Sequence, residues 1–193
     1  MNLKGTQTEH NLLKAFAGES QARNRYTYFA SVAKKEGYEQ IASIFLETSE
    51  NEKEHAKIFF NHLENSGGEP VEIIASYPAG REGTTEENLL AAAEGENIEW
   101  GILYPAFAET ARQEVFPEIE DSFREIRKVE AEHEKRYRKL LENVRSNQVF
   151  KKSGAVRWKC RNCGYIHDGE SAPKECPACR HPQGYYELLA ENY

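Results

Sequence analysis

The sequence predicts an all-α four-helix bundle with one long crossover, followed by a small metal-binding ribbon. Three observations predict it. Four long stretches carry helical periodicity, the apolar stripe of each holds carboxylates at mid-length, and all four cysteines fall in two CxxC pairs near the C-terminus.

Thr6-Gln-Thr-Glu9 is a capping-box pattern and opens the first helix, which runs to about Gly37. The second extends from about Tyr38 to Asn65 and stops at Ser66-Gly67-Gly68. Residues 67–83, rich in Gly and Pro, are too long for a helix-hairpin turn and fit the single crossover of a ferritin-like bundle. Thr84-Thr85-Glu86-Glu87 is a second capping-box pattern and opens the third helix. The fourth starts near Pro117, a favoured first-turn residue, and ends around Ser146. Residues 1–146 thus form the bundle and 147–156 read as a linker. Residues 157–193 form a ribbon too small to fold without a staple.

Composition narrows the functional classes. The 193 residues suffice for one ordinary domain and a small appended one, and 39% hydrophobic content allows a real core. A formal net charge of -7 argues against nucleic acid or an anionic membrane as main partner. No apolar run approaches the ~20 residues of a membrane span, and MNLKGTQTEH lacks the apolar segment of a signal peptide. A cytoplasmic protein is expected. Structural disulfides are rare in that compartment, so adjacent CxxC pairs suggest a metal.

The stripes carry the strongest inference. In the fourth helix, Ile119, Phe123, Ile126, Glu130, His133, Tyr137, Leu140 and Val144 share one face. In the second, the face reads Ile41, Phe45, Thr48, Glu52, His55, Phe59, Leu63. The first gives Leu12, Ala15, Glu19, Ala22, Tyr26, Phe29, Ala33, and the third gives Leu89, Ala92, Glu96, Glu99, Leu103, Ala106, Thr110. Glu19 and Glu52 are spaced much as Glu96 and Glu130 are, which suggests two related helix pairs facing each other.

Five inward carboxylates would repel strongly unless protonated or neutralised, and each unpaired one costs several kcal/mol to bury. Arg23, Lys53 and Arg136 flank the motifs but lie off the stripe. Two divalent cations would supply four positive charges and two trivalent ones six, which matches five carboxylates, so metal binding is the economical explanation. A single Glu-x-x-His on a helix is usually a solvated pair; two of them on core stripes, joined by three further carboxylates, are not. Glu50, Glu54, Glu132 and Glu134 fall off the stripe and read as solvated. Hard oxygen ligands with two imidazoles suit iron or manganese, and the set matches the di-metal carboxylate bundles.

The C-terminal segment reads Cys160-Arg-Asn-Cys163-Gly-Tyr165, then Cys176-Pro-Ala-Cys179. Taken alone, two such knuckles are more often a structural zinc ribbon than an iron site. Cys-Gly-Tyr and Cys-Pro-Ala-Cys resemble the knuckles of rubredoxin, which holds one redox-active iron, and a di-iron centre needs electrons. His167 and His181 lie nearby, but four thiolates already complete a tetrahedral shell.

Ala15-Phe-Ala-Gly-Glu19-Ser-Gln-Ala-Arg-Asn-Arg-Tyr26, Glu52-Lys-Glu-His55, Gly95-Glu96-Asn-Ile-Glu99, Glu130-Ala-Glu-His133 and the cysteine knuckles together resemble rubrerythrin over nearly the whole chain. The resemblance implies a non-haem peroxidase that reduces hydrogen peroxide to water. Its electrons would come from a separate rubredoxin or an NAD(P)H-dependent reductase, passing through a four-cysteine iron to two non-haem irons. It implies Glu52 and Glu130 as bridging ligands, and Glu19, Glu96 and His133 as terminal ones. Glu99 and His55 would exchange on one iron, with Tyr26 and Tyr104 beside the centre. Spacing alone also permits both tyrosines to be ordinary core residues.

About 20 Å of helix separates His133 from Ser146 at 1.5 Å per residue, so the ribbon begins far from its own di-iron site. A head-to-tail homodimer, with one chain's four-cysteine iron serving the other chain, is therefore expected. The competing expectations are a ferroxidase or oxygen-reducing di-iron protein, and a non-enzymatic module with structural zinc. Glu99 and the attached ribbon argue against the first.

Overall fold

The computed structural model describes residues 2–192, so Met1 and Tyr193, the outermost residues of the two expected domains, lie outside the described residues. Five α-helices are followed by three strands: α1 (Gln7–Lys35), α2 (Glu39–His62), α3 (Thr85–Ile98), α4 (Tyr104–Gln113), α5 (Pro117–Arg145), β1 (Lys151–Cys160), β2 (Ile166–Ser171) and β3 (Tyr186–Leu188). α1 packs along α2, and α3 with α4 packs along α5. The two hairpins close on each other to make the bundle.

Local chemistry sets the helix ends. Thr6 caps α1 by accepting from the Glu9 N–H. The reciprocal half of the expected box differs, because Glu9 accepts from Gly5 N at 2.7 Å instead of from Thr6. Thr84 and Glu87 form the complete capping box at α3. α1 closes on Gly37, whose φ of 82° lets the Tyr38 N–H reach Ala33 O at 2.8 Å. α4 ends in the same motif with Val115 in the left-handed position, at φ 65°.

The third predicted helix is interrupted. Between α3 and α4, Glu99–Leu103 form a π turn, which inserts one extra residue per turn of backbone. The inward face therefore shifts by one. Leu103 and Ala106, expected inside, are exposed, while Tyr104, Ala108 and Ala111 are buried.

Two hydrophobic clusters fill the bundle on either side of a polar middle layer. One contains Tyr26, Phe29, Ile41, Phe45, Leu89 and Tyr137; the other contains Leu12, Phe59, Tyr104, Ile119, Phe123 and Ile126. Full burial of a residue such as Phe45 or Phe123 stabilises by roughly 1.5–3 kcal/mol. That packing holds the charged layer in place.

The C-terminal domain is an antiparallel sheet in the order β2-β1-β3. Trp158 is fully buried and donates its indole N–H to Gly169 O at 3.0 Å. β1 begins at Lys151, so residues 151–156, expected as linker, are strand; Lys151 pairs with Ser171. The domain rests against the α1–α2 turn. The Phe150 and Tyr38 rings stack at 6.0 Å, and a side-chain carbon on Gly184 would fall 2.4 Å from Gly37 O.

Candidate metal centres

Glu19, Glu52, Glu96, Glu130, His55 and His133 are all buried and meet in the polar middle layer. They form two overlapping groups. Glu19, Glu52, His55 and Glu130 make one, Glu52, Glu96, Glu130 and His133 the other, and within each group the ligand atoms lie within 4.8 Å of one another.

Glu52 and Glu130 belong to both groups, and their oxygens are divided between the histidines. His55 Nδ1 is 2.9 Å from Glu52 Oε2 and 2.8 Å from Glu130 Oε1. His133 Nδ1 is 3.2 Å from Glu52 Oε1 and 2.8 Å from Glu130 Oε2. Despite these distances, both Nδ1 atoms and all four carboxylate oxygens lack an aligned hydrogen bond. Buried polar atoms are normally paired. Here their lone pairs converge on two shared points, as ligands of a cation do.

Two tyrosines orient the outer carboxylates. Tyr26 Oη donates to Glu96 Oε1 at 2.5 Å, and Tyr104 Oη donates to Glu19 Oε1. In each case Oε2 has no hydrogen bond, while Oε1 lies 3.9 Å from His55 Nδ1 for Glu19 and 3.8 Å from His133 Nδ1 for Glu96. The pairs are related by the internal repeat. Tyr26 follows Glu19 by seven residues and Tyr104 follows Glu96 by eight, the extra residue being the π turn.

Electrostatics agree with a site built for cations. Burial, then Glu130, Glu99 and Glu52, holds the Glu19 carboxyl well above the usual range, and burial with Glu52 raises Glu96 to about 8. Burial would lower the histidines, but Glu130 and Glu52 beside them raise His55 to about 9 and His133 to about 12. Without cations the layer keeps protons that ligation would displace.

Glu99 stands apart. It opens the π turn, is half-buried, and belongs to neither group. Burial and the charges of Glu96, Glu130 and Glu52 nevertheless hold its carboxyl well above the usual range, which places it at the edge of the same field.

Glu134, read from the sequence as solvated, is buried. Its partners lie on α3, the π turn and α5: Asn97 Nδ2, Trp100 Nε1 and Arg138 Nε donate to it at 3.1, 2.5 and 2.5 Å. Its position four residues after Glu130 was a signal that it could share a packed face. Glu50, Glu54 and Glu132 are exposed, as expected.

The cysteines form the second centre. Cys160 and Cys179 sulfurs lie 3.8 Å apart and Cys163 and Cys176 sulfurs 3.6 Å, and all four ligand atoms lie within 4.8 Å of one another. Disulfide bonds need ~2.05 Å, whereas a tetrahedron of ~2.3 Å metal–sulfur bonds has edges near 3.8 Å. The knuckles share one backbone shape. Gly164 N–H donates to Cys160 O and Arg180 N–H to Cys176 O, with positive φ at Gly164 and Arg180. The His181 backbone brings Cys179 down to about 6, favouring the thiolate that metals bind.

Comparison with known proteins then decides the family. Residues 10–141 match the rubrerythrin family model, and residues 158–187 match the rubredoxin-like domain of rubrerythrin. The chain belongs to the rubrerythrin family. It is 62% identical over 192 residues to a rubrerythrin of Porphyromonas gingivalis, covering 100% of this chain and 94% of that protein. It is 50% identical over 192 residues to one of Nitratidesulfovibrio vulgaris, covering 100% and 99%. Among solved structures it is similar to fully reduced, all-ferrous nigerythrin, with a TM-score of 0.65 and 29% identity over 98% of this chain and 94% of that one. Mycobacterium tuberculosis bacterioferritin shares the fold at 18% identity, with a TM-score of 0.64 over 75% of this chain and 90% of that one. The family carries a di-iron site in a ferritin-like bundle and a rubredoxin-like four-cysteine site, and the orphaned donors and sulfur spacing of this chain fit both. Among the described residues, no helix is long and apolar enough to cross a membrane.

Proposed function

We propose that this protein is a hydrogen peroxide reductase, fed by electrons relayed through its four-cysteine iron from a rubredoxin or an NAD(P)H-dependent reductase. The observation that carries the reading is the pairing of two overlapping ligand groups, divided between two histidines, with a sulfur cage on the same chain. Glu52 and Glu130 would bridge the irons, with Glu19 and His55 on one side and Glu96 and His133 on the other. Two ferrous ions there supply together the two electrons that, with two protons, convert hydrogen peroxide to two waters.

The chain's own residues position and protonate. Tyr26 and Tyr104 hold Glu96 and Glu19 by one oxygen each and leave the second without a hydrogen bond. Glu99, half-buried beside the site and disposed to keep a proton, can pass that proton to a departing oxygen. The same position suits its exchange with His55 as a ligand. The aromatic clusters on both sides keep bulk water from the middle layer.

Electron delivery favours a head-to-tail homodimer. The ribbon is anchored at Tyr38, and about four turns of α2, roughly 21 Å at 1.5 Å per residue, separate Tyr38 from Glu52. Another subunit's sulfur cage can approach more closely than the chain's own. A fully active monomer would contradict this part of the reading. Thiolates held for a metal also fit a reducing compartment, and we assign the protein to the cytoplasm.

The test is optical. Iron-loaded protein should show a visible four-cysteine ferric chromophore that bleaches on reduction and returns on adding peroxide. A colourless ribbon holding zinc alone would overturn the relay.

A further inference from the structure

Six of the seven ligand candidates are buried, and Glu99 is half-buried. Glu99 therefore marks the least buried side of the candidate ligand set. The crossover between α2 and α3 passes there, strapped along α1. Lys4 Nζ meets Glu69 Oε2 at 2.7 Å, Tyr77 Oη donates to Lys14 O at 2.8 Å, and Arg25 Nη2 donates to Pro78 O at 2.6 Å.

Gly18 marks where the crossover reaches the site. A side-chain carbon on Gly18 would lie 3.7 Å from Glu99 Oε1 and 3.7 Å from Tyr77 Cε1. The carboxylate and the phenol ring thus both border one small residue that precedes Glu19. Tyr77 is half-buried, and both burial and the Glu99 charge raise its phenol, which agrees with that proximity.

We propose that Tyr77 is the outer wall of the Glu99 side of the di-iron site and sets the size of hydroperoxide admitted to it. The proposal rests on the peroxidase reading and adds a specificity-determining residue from outside the helices. The Tyr77 hydroxyl ties the wall to α1, and the ring fills the space that a bulkier peroxide substituent would need. Hydrogen peroxide passes; a hydroperoxide with a branched alkyl group meets the ring.

The experiment uses the full-length, iron-loaded protein and two readouts. The first is the ratio of oxidation rates of reduced protein by tert-butyl hydroperoxide and by hydrogen peroxide. The second, independent of turnover, is the rate at which a chelator removes metal. Tyr77→Ala should raise the ratio about tenfold, as removal of a steric wall does, and Tyr77→Phe, which keeps the ring, by less than about twofold. Tyr77→Ala should also release metal faster, whereas Tyr28→Ala, an exposed tyrosine on α1, should change neither readout. Tyr77→Leu supplies a second truncation should the alanine variant fold poorly. Parent-like values of both readouts in folded Tyr77→Ala and Tyr77→Leu would overturn the proposal. Should the parent react with neither hydroperoxide, the peroxidase reading fails, and metal release still decides whether Tyr77 walls the site.

Discussion

Trp100 donates its indole N–H to Glu134 at 2.5 Å, tying the π turn to α5. Arg127 completes the clamp by donating from Nε to Trp100 O at 2.8 Å. Because Glu99 immediately precedes Trp100, the clamp fixes the backbone that presents the one ligand candidate outside both groups. Glu134→Ala strands the Trp100 and Asn97 donors, and should cost about 1–3 kcal/mol in chemical unfolding. Glu134→Gln keeps an acceptor and should cost less. Equal stability of parent and alanine variant would show that the clamp contributes nothing.

Glu114 acts across the bundle as a cap. It ends α4, and its carboxylate accepts from Gln7 N, Thr8 N and Thr8 Oγ1 at 3.1, 2.8 and 2.6 Å, at the first turn of α1. Burial opposes its charge, but those donors hold its carboxyl below the usual range. A depressed folded-state value means the stabilisation is present above the unfolded value and is lost as pH falls through the folded one. Glu114→Gln should cost about 1 kcal/mol at neutral pH. The gap between parent and variant should close in acid, measured by unfolding at several pH values.

Val115 gives the opposite sign. A β-branched residue with φ 65°, more than half exposed, occupies a position that favours glycine. Val115→Gly should raise stability by about 1 kcal/mol, the left-handed penalty less the added freedom of the unfolded chain. Thermal unfolding checks it, and a lower midpoint would contradict it.

Metal loading should release protons. Glu19, Glu96, Glu99, His55 and His133 are all raised, so these five groups hold protons near neutrality in the metal-free protein, while Glu130, which burial alone would raise, is kept low by His133 and His55. Raised groups stabilise the metal-free fold below their unfolded values and lose that contribution as pH rises through the folded ones. Metal should therefore stabilise more strongly as pH rises toward 8–9. Titration in weakly buffered solution should record acid release; a pH-independent affinity would contradict the assignment.

The stripes made the middle layer legible, because a Glu or His at a core position stands out against Phe45, Phe59 or Phe123. The ribbon was legible for a similar reason, since four cysteines with that spacing have few alternatives. The π turn left no compositional mark. Glu-Trp-Gly-Ile-Leu reads as ordinary helix, so the inward face after it was set one residue early. Lys-Lys-Ser-Gly read as linker because β1 carries exposed polar residues at its start. Glu134 was misplaced because its burial depends on Trp100, a partner on another helix. Tyr77 was silent, since an aperiodic crossover gives no face from which to infer contact.

On the proposed function, the irons held by the paired ligand groups reduce peroxide. The direct measurement is stopped-flow oxidation of the fully reduced, iron-loaded protein by hydrogen peroxide and, separately, by oxygen. Rapid oxidation by peroxide, faster than by oxygen, is predicted. Slow reaction with peroxide beside rapid reaction with oxygen would contradict the account and favour an oxidase or ferroxidase.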